Sequence, residues 1–326
     1  MNPVEQILTS SMFKEWHWFG YHFQGLAKNE YTALSFDFLN RCELIEYKIP
    51  GFTEETINRM TSICGKEKFE PHYEQLLQLL VEVVIFYRLA EGFLSEPVEF
   101  RWEPTTQGSK KNPELLLIHP MWSALIEIKS PSMFRHLRDA AKHDTQLGAR
   151  LGDPAVFDSI SKTGRATRPL DNKLKDYLVS ADGKFEGFRG QTPKPTTFLY
   201  VAWTQYLFEA ISPLCNEMSG LFTPRSFYRD EYDNAIQFPS VDAVIVSDHM
   251  EPIIAGTKEH DMPFGYSSPL DYGAFHMPGF QHPILLENPV TAEASHHPVA
   301  TILGAQPPSD LDDPRAKPLD FVMWLS

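Results

Sequence analysis

The sequence predicts an α/β protein built around a central mixed sheet, on three observations. His72 to Glu91 (HYEQLLQLLVEVVIFYRLAE) has the wide apolar face of a long helix and is stopped by Gly92. Three strand-like runs follow: Pro97-Val98-Glu99-Phe100-Arg101-Trp102 alternates, and 114–118 and 123–129 are apolar. After a basic stretch, Thr196 to Trp203 (TTFLYVAW) is rich in β-branched and aromatic residues, as a buried strand requires.

The other elements are placed around these. Residues 1–70 read as an aromatic-rich, mainly helical region, with apolar positions between Met12 and Leu26 and a helix start at Thr53-Glu54-Glu55. Thr105 to Asn112, with Gly108, supplies a turn. Beyond Pro131 the expectation is a helix near 132–150, a loop containing Gly152, Pro154 and Gly164, and a second helix opening at Asp171. Tyr206 to Met218 reads as helical and Val241 to Ser247 as a buried strand. Past Pro263 an ordered but irregular layer rich in proline, glycine and histidine is expected, ending in the apolar Phe321 to Leu325. The chain thus divides into a helical region (1–70), a core (71–205), and C-terminal strands and a Pro/Gly/His-rich layer packed on that core (206–326).

Composition narrows the possibilities. With 326 residues, 42% of them hydrophobic, the chain can bury a sizeable core in one large domain or two. No apolar run approaches the ~20 residues that span a bilayer, and Glu5 precedes any apolar stretch, unlike a signal peptide. A cytoplasmic protein without membrane contact is expected. Cys42, Cys64 and Cys215 are odd in number and dispersed, which argues against a disulfide framework or a zinc ribbon. A formal charge of -14 disfavours nonspecific coating of nucleic acid, because such binding depends on Lys and Arg displacing counterions. Charge is unevenly spread, however: Lys129 to Lys175 holds ten basic residues against five acidic ones. Arg135 and Arg138 of that segment are candidates to contact a polyanion.

Pro113-Glu114, followed by Glu127-Ile128-Lys129, places two carboxylates and an ammonium at the ends of adjoining apolar runs. On a strand, positions i and i+2 share a face, so Glu127 and Lys129 project together with Leu125. Two hard oxygen donors suit a divalent ion, and a neighbouring lysine can orient water or meet charge developing on a phosphate. A rival Glu-x-Lys exists at Glu46-Tyr47-Lys48, downstream of Asp37, and would place the site at those three residues. Context favours the later copy, which follows a strong helix and a proline-acid pair and precedes a basic helix and a strand.

Through Pro113-Glu114 and Glu127-Ile128-Lys129 the chain resembles the PD-(D/E)xK, restriction-endonuclease-like, nuclease superfamily, with Glu in place of the commoner Asp in the first pair. The resemblance covers residues 72–203, whose expected order matches that family's α-β-β-β-α-β core. It implies a Mg²⁺- or Mn²⁺-dependent hydrolase of nucleic-acid phosphodiesters, DNA rather than RNA, acting as an endonuclease rather than an exonuclease. Glu114, Glu127 and the Ile128 carbonyl would hold the metal, and Lys129 would position the attacking water. Glu82, interrupting the apolar face of the long helix, corresponds to a helix acid that reaches the metal through water, with Glu74 and Gln78 as fallbacks. Lys173 and Tyr177, four apart on the later helix, would steady the substrate, with Gln146 as an alternative. A defence or restriction effector working with a protein partner or as a homo-oligomer fits the same analogy. The competing expectation is a binding or assembly module that keeps the nuclease fold without cleavage.

Other chemistries find no foothold. Asp242, in Ser240 to Val246, reads as a hydrogen-bonded structural acid, and His249, His260, His276, His282, His296 and His297 show no metal-ligand spacing. The sequence has no GxSxG elbow, P-loop or GxGxxG.

Overall fold

The computed structural model describes residues 2–106, 112–150, 159, 162, 166–274, 277, 280–291, 294–311 and 316–323. Contacts divide the chain into two compact units interleaved along the sequence: Met1–Trp102 with Leu117–Pro120 and His249–His282, and Glu103–Leu116 with Met121–Asp248 and Pro283–Ser326.

The first unit is mainly helical. It holds α1 (Pro3–Thr9), α2 (Gly20–Phe23), α3 (Ala33–Lys48), α4 (Phe52–Ser62) and α5 (Glu70–Gly92). α5 matches the long helix expected from sequence, buries Leu76, Leu77, Leu80, Val81, Val84 and Phe86 among others, and packs against α3 and α4. At roughly 1.5–3 kcal/mol per buried large apolar side chain, that face anchors the helix far more strongly than any polar contact along it. α4 begins one residue before the expected Thr53, because Gly51 at φ 89° turns the chain into it.

The main sheet has six strands in the order β1 (Glu99–Trp102), β2 (Leu115–His119), β3 (Trp122–Lys129), β6 (Thr196–Ala202), β7 (Ala243–Ser247), β8 (Ile284–Glu287). β3, β6 and β7 run parallel and β8 closes that edge antiparallel. The Pro120-Met121 connection is too short for anything but an antiparallel β2–β3 pair, so the sheet is mixed and the fold α/β. Central strands buried on both faces read as continuous apolar runs, as β6 does over Phe198–Ala202 and β7 over Ala243–Val246.

α6 (Phe134–Ala140) and α7 (Asp171–Phe185) follow β3, and α7 packs on β3 and β6. The helix expected over 132–150 stops at Ala140. Residues 145–147 instead form β4, which pairs in parallel with β5 (Ala166–Thr167) and antiparallel with β9 (Phe321–Met323). A side chain at Gly148 would collide with the Leu319 carbonyl, so the backbone approach to the 319–323 segment overrides local helical preference. The turn around Gly108 falls largely, and the loop glycines 152 and 164 with Pro154 wholly, outside the described residues.

Within 206–326, α8 (Phe208–Cys215) and β7 match expectation, α9 (Met250–Thr257) lies where no element was expected, and β8 and α10 (Pro298–Ile302) place regular elements in the layer expected to be irregular. Among the described residues no helix is long and apolar enough to cross a membrane.

Candidate functional site

β3 supplies the centre of the site. Glu127 lies in the middle of the sheet at 0% exposure, flanked on its strand by buried Ile126 and Ile128. Leaving a lone carboxylate there would cost several kcal/mol, so its partners define the local electrostatics. Lys129 Nζ, two residues on and on the same face, is 2.5 Å from Glu127 Oε1. A second lysine, Lys184 of α7, brings Nζ to 2.6 Å from the same oxygen and to 3.9 Å from Glu114 Oε1.

Both ammoniums take Oε1. Oε2 of Glu127 is buried without a hydrogen-bond partner among the described residues. An unsatisfied buried acceptor costs roughly 1–3 kcal/mol, and here it belongs to a carboxylate whose other oxygen already meets two lysines.

Glu114 enters at the start of β2. A two-residue hairpin at Pro120-Met121 counts Glu114 directly opposite Glu127. Its carbonyl accepts the Glu103 amide at 3.0 Å, which ties it to the residue that follows β1. Burial raises the Glu114 carboxyl above its ordinary value, the Glu127 charge raises it further, and Lys184 and Lys129 oppose both. The cluster is therefore two carboxylates sharing two ammoniums in a largely water-excluded setting, with Glu103 adding negative charge nearby.

The expected site residues fall into three groups. Glu114, Glu127 and Lys129 come together, and Ile128 lies between the last two, buried and opposite Tyr200 of β6. Lys173 and Tyr177 share a face of α7, with Lys173 Nζ 5.4 Å from the Tyr177 ring centroid. Lys184 stands on that face eleven residues after Lys173, about 16 Å further along the helix. Arg135 and Arg138 are exposed on α6. Glu82 belongs to the first unit, where Arg59 of α4 meets it at 3.1 Å.

Sequence reasoning missed Lys184. The signal is its spacing: three turns from Lys173 put it on the face that Lys173 and Tyr177 share, but no local pattern says which end of the helix meets β3.

The rival tripeptide is explained otherwise. Glu46 accepts the amides of Gly51 at 2.6 Å and Thr53 at 2.8 Å, capping the start of α4. Burial works to raise its carboxyl, and these amides more than offset that, leaving it lowered. Lys48 Nζ reaches the Glu96 carbonyl, and Asp37 accepts the Leu270 amide at 3.2 Å. Asp242 is the structural acid expected, taking both terminal nitrogens of Arg189 and the Thr197 amide.

Among the described residues no group of three or more His, Cys, Asp or Glu is arranged to hold a metal. The donor set still fits a hard divalent ion, because Mg²⁺ uses few protein carboxylates and keeps several waters, and Glu127 Oε2 is a buried oxygen without a hydrogen-bond partner among the described residues. No protein-family model, no curated protein and no solved structure matches the chain.

Proposed function

We propose that the chain is a divalent-metal-dependent nuclease of the PD-(D/E)xK type, acting in the cytoplasm on DNA, endonucleolytically, as a defence or restriction effector. The observation that carries this reading is the fully buried Glu127, its Oε2 unpartnered, facing Glu114 and flanked by Lys129 and Lys184. The order α5, β1, β2, β3, α7, β6 supports it, with α6, β4 and β5 inserted before α7.

Glu114, Glu127 and the Ile128 carbonyl would hold Mg²⁺ or Mn²⁺, which when bound supplies Lewis-acid activation of water and neutralises phosphate charge. Lys129 shares a strand face with Glu127 and is the group placed to hold a water proton or orient the attacking oxygen. Lys184 answers the negative charge of both carboxylates from α7, which keeps two like charges tolerable at close range. Lys173 and Tyr177, further along that face of α7, and Arg135 and Arg138 would steady the phosphate backbone.

The test is direct. Purified protein with Mg²⁺ or Mn²⁺ is expected to cut plasmid, linear or single-stranded substrates, and Lys129→Ala to abolish cutting. Intact substrates under every metal condition would sink the reading. A second reading, a binding or assembly module on the same fold, is favoured by one observation: two lysines already neutralise Glu127 Oε1, as in a structural ion-pair network. It predicts no Mn²⁺ binding at all.

A further inference from the structure

We propose that Lys184 is a place-holding cation, an inference that rests on the metal-dependent reading above: it holds Glu114 and Glu127 as their counter-charge and gives them up when a divalent ion binds. The two carboxylates then serve one of two cations and never both.

Lys184 Nζ stands between the carboxylates, 2.6 Å from Glu127 Oε1 and 3.9 Å from Glu114 Oε1. The first contact is a charge-assisted hydrogen bond, while the second is an ion pair beyond hydrogen-bond range. An ammonium has three directed donors and a single charge, so it grips one carboxylate at the other's expense. A hard divalent ion carries twice the charge and gathers oxygen ligands from all sides, which makes Lys184 the weaker occupant.

Glu209, another buried carboxylate of this unit, shows what a purely structural arrangement looks like. It is 2% exposed, and its Oε1 meets His136 Nε2 at 3.2 Å and accepts from Gln146 Nε2. Its Oε2 accepts from Trp203 Nε1 at 2.9 Å, so both oxygens are satisfied. Glu127 instead crowds both cations onto Oε1 and leaves Oε2 without a hydrogen-bond partner among the described residues.

That crowding decides which group leaves. Lys129 Nζ lies 2.5 Å from the same Glu127 oxygen, so the two ammoniums are within about 5 Å of each other. Two carboxylates and two ammoniums balance. A divalent ion added to all four would leave two positive charges in excess around the fully buried Glu127, which Glu103 nearby only half offsets. Lys129 shares β3 with Glu127, and the pleat keeps both side chains on one face. Lys184 belongs to another element, one residue from the end of α7, with 17% of its side chain already exposed. On leaving, it stays beside the negative end of the helix dipole, and its four-carbon stem regains rotamer freedom.

Acetic anhydride labelling of the whole protein, read by peptide mass spectrometry, follows Lys184 directly. In EDTA its acetylation is expected to be slow relative to the exposed Lys68, because both carboxylates hold it in a largely closed site. Saturating Mn²⁺, with occupancy set by isothermal titration, is expected to raise Lys184 labelling severalfold. Lys184→Met is expected to bind Mn²⁺ about tenfold more tightly, since no side chain then competes for the carboxylates. A lysine that merely builds the site predicts the opposite, weaker binding in that variant. Lys184 labelling unchanged at full Mn²⁺ occupancy, or weaker Mn²⁺ binding by Lys184→Met, overturns the proposal. Should that variant fail to fold, labelling of the unaltered protein decides alone. Mn²⁺ bound with Lys184 still protected removes only this inference, whereas no Mn²⁺ binding at all removes it together with the metal-dependent reading.

Discussion

Two tripeptides, Glu46-Tyr47-Lys48 and Glu127-Ile128-Lys129, share the Glu-x-Lys pattern and have opposite fates. The first ends α3, where residues two apart point about 200° away from each other. Its glutamate turns outward to cap α4 and its lysine reaches a backbone carbonyl. The second ends β3, where the same spacing returns both side chains to one face and closes an ion pair at 2.5 Å. Spacing carries chemical meaning only after secondary structure is assigned: a pair is a pair on a strand and a divergence on a helix.

The contrast is sharpest in metal binding. Glu127→Gln is expected to lower Mn²⁺ affinity by about 10- to 100-fold and to abolish cleavage, while Glu46→Gln leaves both unchanged. Titration calorimetry and a plasmid assay read this out, and the reverse pattern would move the site to α3. In stability, Glu127→Ala leaves two ammoniums facing each other across a vacated interior position and is expected to cost about 3 kcal/mol in urea unfolding. Glu46→Ala removes a helix cap and is expected to cost about 1 kcal/mol.

A smaller effect depends on pH. Because the folded-state carboxyl of Glu114 lies above its ordinary 4.5, the native state binds more protons than the unfolded one between 4.5 and that raised value. Without metal, stability should therefore fall as pH rises through this window. Mn²⁺, which requires the ionised form, should reverse that slope in denaturation midpoints measured across the same range. Least of all, Glu82→Ala breaks a partly exposed pair with Arg59 and is expected to cost about 0.5 kcal/mol while leaving Mn²⁺ affinity alone. A large loss of affinity in that variant would bring Glu82 into the site.

What could be read in advance follows from the range of the forces. α5, β3 and β6 are legible because their apolar periodicity is local and strong. Glu114 and Glu127 are legible because a hairpin turns sequence separation into spatial pairing. Lys184 is not, because its role depends on how α7 docks on β3, which no local pattern encodes. β4 is illegible for the same reason: Thr145-Gln146-Leu147 becomes a strand only by pairing with residues far along the chain. The short run 284–287 was obscured by flanking prolines and acquires strand character by pairing with β7.

That distant pairing gives the His136–Glu209 network a history as well as a shape. β4 carries Gln146 to Glu209, and β4 itself is held by 321–323, with the Gly148 amide on the Asp320 carbonyl and the Leu319 amide on Ser212 Oγ. Closing so long a loop is entropically slow relative to the hairpin that sets Glu114 against Glu127. The hairpin that pairs Glu114 with Glu127 should thus be native early in folding and the His136–Glu209 network late, so a nascent or partly opened molecule would hold the paired carboxylates before it holds that network.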